Sequence, residues 1–171
     1  MIAWILSLMI ALQPQAPWRD SYEETARAIA TVVEEEPPFF RGVDAKHRTA
    51  ALLVSLAWAE SRFDPKAVGD HGRSVGLYQI FHANLPTKEG FGKADILGNA
   101  LAATRVAHRM IRESMNVCAQ SKVEERLAWY ASGDSTCHFG AAASKFRYGT
   151  AMRVFREHPP TPSAMRTALA P

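Results

Sequence analysis

The stretch from Leu53 to Ile80, LVSLAWAESRFDPKAVGDHGRSVGLYQI, narrows the fold more than any other part of the chain. Leu53, Leu56, Ala57 and Glu60 recur at helical spacing and so share one face, which puts an acid at the end of an apolar stripe. Pro65 biases Asp64 away from helical backbone and stops the helix there. Gly69, Gly72 and Gly76 then give a loop that can lie close against a ligand. The pattern therefore predicts a helix that carries a carboxylate to the edge of a loop-lined site.

Two readings of Glu60 follow. A glutamate near a helix end is most often a solvated residue. The other reading is a desolvated acid. The negative end of the helix dipole costs a carboxylate only about 0.3–1 kcal/mol, well under one pKa unit. Burial against Leu53, Leu56 and Tyr78 can raise a carboxyl pKa by up to roughly 3–5 units, enough to keep Glu60 protonated near neutrality. A buried, protonated glutamate is suited to general acid catalysis.

These residues also carry a family resemblance. Ala59-Glu60-Ser61-Arg62-Phe63-Asp64-Pro65 and Gly76-Leu77-Tyr78-Gln79-Ile80 resemble the "ES" and "GLMQ" motifs of the lytic transglycosylases that cut bacterial peptidoglycan. Asp95 with Asn99 and Ala102 resembles the next helix of that family, and Trp129-Tyr130-Ala131-Ser132-Gly133 resembles its "AYNAG" segment. The resemblance covers roughly residues 45–135. It implies a mainly α, lysozyme-like domain with a catalytic cleft and a small hairpin-like β region. It further implies Glu60 as catalytic acid and base, with Ser61, Gly76, Tyr78, Gln79 and Tyr130 binding substrate. Tyr78 replaces the usual Met and Ala131 the usual Asn, so any contact those side chains make is missing or replaced here.

Three function classes are compatible with the sequence. A lytic transglycosylase would use Glu60 alone to cleave the MurNAc-GlcNAc β-1,4 bond and leave a 1,6-anhydro end. A hydrolysing lysozyme needs a second carboxylate across the bond. Asp70, in a Gly69-Asp70-His71-Gly72 turn that resembles one in goose-type lysozymes, is the candidate, whereas Asp64 before Pro65 reads as a turn residue. The third class is an inactive wall-binding module, which has no use for a desolvated acid.

At 171 residues and 47% hydrophobic content the chain suits one domain with one core. Twenty Lys+Arg against 17 Asp+Glu is too even for a nucleic-acid-binding signature and fits peptidoglycan strands as the partner or a plain solvated surface. Residues 1–12, MIAWILSLMIAL, have the length of a signal-peptide hydrophobic region and are too short to span a bilayer. Residues 1–17 are therefore expected to be an export signal or anchor, with an ordinary buried helix as the alternative. Residues 18–158 are the expected domain and 159–171 a flexible tail. Export implies a periplasmic or secreted protein. In such a compartment Cys118 and Cys137 read as one disulfide, with buried free thiols as the alternative. No metal-ligand motif occurs among the six histidines, so no metal or cofactor is expected.

Capping boxes are expected at Ser21/Glu24 and Ser121/Glu124, and N-caps at Asp44 and Asp95. His108 falls on an apolar helical stripe and reads as a core residue. Gln79 is expected either to point its amide into the cleft or to satisfy loop backbone, and Tyr130 either to reach Glu60 or to bond elsewhere.

Overall fold

A computed structural model of the chain describes residues 1–161; the remainder of the expected tail, from 162 onward, lies outside the described residues. The architecture is mainly α. Its long helices are α1 (Ile2–Leu12), α2 (Tyr22–Glu35), α3 (Ala45–Ser61), α5 (Ala100–Val117) and α7 (Ala141–Glu157), with α4 (Lys93–Ile96) and α6 (Ala128–Ser132) as short connecting helices. A small antiparallel sheet, β1 (Val68–Gly69), β2 (Ser74–Val75) and β3 (Ile80–Phe81), supplies the hairpin-like region. Val68 pairs with Val75, and Val75 in turn with Ile80.

α3 is the central helix. The sequence suggests an apolar stripe, but residues 49–57 are buried on every side, Thr49 and Ser55 included. The reason is that α1, α2, α5 and α7 all pack around it. The two polar residues are tolerated because each is bonded. The Phe39 amide donates to Thr49 Oγ1 at 2.9 Å, and Ser55 Oγ donates to the Arg147 carbonyl at 2.7 Å. The second bond fixes α7 along α3.

α1 packs on α2, α3 and α7 and buries Ile5, Leu8 and Met9 completely. Trp4 Nε1 donates to the His158 carbonyl at 2.7 Å, and the Tyr22 hydroxyl donates to the Gln13 carbonyl at 2.9 Å. Among the described residues no helix is long and apolar enough to cross a membrane.

Several local expectations are replaced. Ser21 does not cap α2: it already has helical backbone in a short 3₁₀ turn, and its hydroxyl donates back to the Trp18 carbonyl at 2.7 Å. Asp44 precedes α3 but pairs with Arg48 at 3.1 Å instead of capping. Asp95 sits in the third position of α4 and accepts from the Gly92 amide. The chain then turns at Gly98, φ +79°, and Asn99 caps α5 by accepting from the Ala102 amide at 3.0 Å. The Ser121/Glu124 segment forms a 3₁₀ turn, and α6 begins only at Ala128. His108 is buried and stacked on Phe39, ring centroids 4.4 Å apart.

Cys118, just past α5, is joined to Cys137 in the loop after α6, with Cα atoms 5.9 Å apart. Closing this 19-residue separation stabilises the fold by about 3 kcal/mol in the chain-entropy account. The bridge packs against Ala128 and Trp129 and so holds one wall of the cleft described next.

Candidate active site

α3 stops where its acid is needed. Arg62 and Phe63 take positive φ, 56° and 67°, and their amides bond back to the carbonyls of Trp58 and Ala57, which satisfies the helix end. Phe63 is buried edge-on against Tyr22, ring centroids 5.2 Å apart, which anchors the turn. Glu60, one residue before the end of α3, therefore has a fixed base and faces α7.

Its side chain opens into a cleft of about 420 Å³, lined also by Asp70, Tyr78, Gln79, Trp129, Tyr130 and Arg147. Arg147 Nη2 lies 2.7 Å and Nε 2.9 Å from the same oxygen, Glu60 Oε1. Burial pushes the Glu60 carboxyl above its ordinary range; Arg147 pulls it back through charge and hydrogen bonding, and the charge of Asp70 adds a smaller upward push. Burial and the arginine thus act on the same carboxyl in opposite senses.

The cleft brings Asp70, Tyr78, Gln79 and Tyr130 together with Glu60. Ser61 and Gly76 stand behind it. Ser61 Oγ lies 2.8 Å from the Leu77 carbonyl and 3.1 Å from that of Ala57, linking α3 to the loop. Gly76 has φ +74°, and a Cβ there would lie 3.0 Å from Ile96 Cγ2, so the loop packs onto α4 only with glycine at this position. Gln79 lines the cleft, while its Nε2 donates to the carbonyls of Gly76 at 3.0 Å and Ala67 at 3.3 Å. Its Oε1 occupies the space a Cβ at Gly69 would need. The Tyr130 hydroxyl donates to the Tyr78 carbonyl at 3.0 Å, not to Glu60. The Tyr78 side chain is itself buried, and burial raises its hydroxyl pKa. Asp70 is exposed on its turn and accepts from Ser74 Oγ at 2.5 Å. Asp64 accepts from the Lys66 amide at 2.8 Å, a turn contact.

Among the cleft residues that sequence reasoning misses, Arg147 is the one bonded to Glu60. It lies 87 positions from Glu60, and on α7 it is one of several basic residues with nothing local to mark it. Among the described residues no group of three or more His, Cys, Asp or Glu is placed to hold a metal ion.

No curated protein and no solved structure matches the chain. The family described as the transglycosylase SLT domain matches residues 38–148, well over half of the 171 residues. The matched span runs from the loop before α3 into α7 and contains every residue of the cleft. Its mainly helical architecture with a small three-stranded sheet is that of the lysozyme-like fold, and the family's activity, lytic-transglycosylase or lysozyme-like, is on peptidoglycan. On the matched span and on the architecture alike, the chain belongs to the SLT transglycosylase family.

Proposed function

We propose that the protein is a peptidoglycan lytic transglycosylase that cleaves the MurNAc-GlcNAc β-1,4 bond with Glu60 as its single acid and base. The observation that carries this reading is a mostly buried carboxyl at the wall of the cleft, held upward in pKa by burial and restrained by one arginine. In the first step protonated Glu60 gives its proton to the glycosidic oxygen as the C1–O4 bond breaks, releasing the GlcNAc end. In the second, the carboxylate takes the proton of the muramyl C6 hydroxyl while O6 bonds to C1. Glu60 ends protonated as it began, no water is consumed, and the product carries a 1,6-anhydro ring.

Asp70 favours a second reading, hydrolysis, because it lines the same cleft and its charge reaches Glu60. Against it, the Asp70 carboxylate already accepts from Ser74 and sits on an exposed turn. In the proposed reading Tyr130 and Gln79 act through the loop: one braces the Tyr78 carbonyl, the other the carbonyls of Ala67 and Gly76. Peptidoglycan lies outside the cytoplasmic membrane, so the proposal places the protein in the periplasm or outside the cell. In this reading residues 18–158 carry the cleft, with α1 packed against them as part of the same core.

Mass spectrometry of a digest of purified peptidoglycan tests the proposal. Anhydro-muropeptides are expected. Products one water heavier, together with an inactive Asp70→Asn variant, would make the enzyme a lysozyme.

A further inference from the structure

The cleft is lined by two acids, Glu60 and Asp70, and by one cation, Arg147. That cation is spent on the catalytic acid. Its Nε and Nη2 both converge on Oε1, while Oε2 takes no hydrogen bond from any described residue. Such a pair works against the burial that raises the Glu60 carboxyl and favours its ionised form, which cannot give a proton to a glycosidic oxygen. Both partners remain partly open to the cleft, with side-chain exposures of 14% for Arg147 and 16% for Glu60. The base of the arginine is fixed, since the Arg147 carbonyl is held by Ser55, so only the guanidinium has freedom to change partner.

We infer that Arg147 is a substrate-recognition residue that exchanges its bond to Glu60 for a carboxylate on the muramyl side chain, freeing Glu60 to act. The inference rests on the peptidoglycan reading above. The muramyl sugar, whose C1 is attacked, carries a lactyl ether ending in a carboxyl. That group is free on a stripped strand or joined to a peptide that bears acids of its own. Either source brings a carboxylate beside the scissile bond, and a guanidinium binds a carboxylate with two parallel donors, a better match than two donors on one oxygen. Once released, Glu60 is faced by Asp70 from the turn after β1 and by the neutral hydroxyl of Tyr130 from α6. Neither favours a second negative charge, and Glu60 takes up the proton it needs. The arginine thereby couples substrate identity to the arming of the acid.

The test uses the full chain on three substrates: stem-bearing glycan strands, strands stripped of peptide, and stripped strands whose lactyl carboxyls are converted to methylamides. The wild-type protein should show kcat/KM about tenfold higher on a carboxylate-bearing strand than on the methylamide. The stripped strand leading would place the acid on the lactyl group, and the stem-bearing strand leading would place it on the peptide. Arg147→Met should bring the carboxylate and methylamide strands within about twofold, and Arg147→Lys, which keeps the charge but loses the fork, should fall between. A second readout needs no variant. On carboxylate-bearing strands the alkaline limb of kcat should lie above that of kcat/KM, because Glu60 loses its counter-ion only in the complex, and on methylamide strands the two limbs should coincide. Equal wild-type rates on all three strands, a preference that survives Arg147→Met, or coincident limbs on every strand would each overturn the inference while leaving glycan cleavage intact. Failure to cleave any strand would instead remove the proposed function beneath it.

Discussion

The Ser61 hydroxyl sits 2.8 Å from the Leu77 carbonyl, joining the last residue of α3 to the loop that carries Tyr78 and Gln79 into the cleft. A hydroxyl has one proton, and the shorter distance assigns it to Leu77 over Ala57. Ser61→Ala would leave a buried carbonyl unpaired and should cost about 1–3 kcal/mol of stability. Activity should fall as well, because the loop is free to move away from Glu60. Denaturant midpoints and peptidoglycan lysis measured on the same variant check both effects, and an unchanged midpoint would show that the bond does not matter.

Glu60→Gln keeps the shape of the side chain and removes the transferable proton. Lysis should drop by roughly 10²–10⁴, the usual worth of one general acid. Asp70→Asn should stay within a few-fold of the parent, since no second carboxylate has to activate water. Circular dichroism on both variants separates lost chemistry from lost fold.

His108 makes acid stability a test of core packing. Burial, and then the charge of Arg112, lower its pKa from 6.5 to about 4, against a smaller opposing effect of the Pro37 carbonyl. Its Nε2 has no partner among the described residues. Between pH 6.5 and 4 the unfolded chain binds a proton that the folded protein does not, so stability falls as pH falls through that window and levels off below it. The loss amounts to at most about 3 kcal/mol. His108→Gln should remove this part of the slope, read as the difference between wild-type and variant denaturation free energies across the window.

α1 should behave as part of the domain. Leu8 is fully buried against the other helices, so Leu8→Ala should destabilise the protein by about 2–5 kcal/mol. Deleting residues 1–12 removes Ile5 and Met9 as well, and at about 1.5–3 kcal/mol each the three side chains approach the whole stability of a typical domain. Thermal melting of the two variants measures this. The intact mass of the protein expressed in a host able to export it separates a retained helix from a cleaved export segment, because loss of residues 1–17 would remove α1.

What the sequence by itself determined is what local chemistry and spacing dictate. Glu60 at the end of a helix, the Asp64-Pro65 stop and the glycine-bearing loop are all legible because each depends on residues close together in the chain, and the Cys118–Cys137 pair was legible from its even count in an expected oxidising compartment. The helix starts were less legible. Ser21 and Asp95 have the chemistry of caps, yet Ser21 is drawn into a preceding 3₁₀ turn, and the chain turn at Gly98 hands the capping of α5 to Asn99. Only the tertiary structure decided that α3 is buried all round, that the apolar N-terminal segment fills the space beside it, and that Tyr130 supports Tyr78 instead of touching Glu60. It alone decided that Arg147 meets Glu60. The physical reason is that periodicity reports which face of a helix is apolar but not how many partners will cover it. Nor does it say which residue, 87 positions away, a packed neighbour will bring within 2.7 Å of a carboxylate.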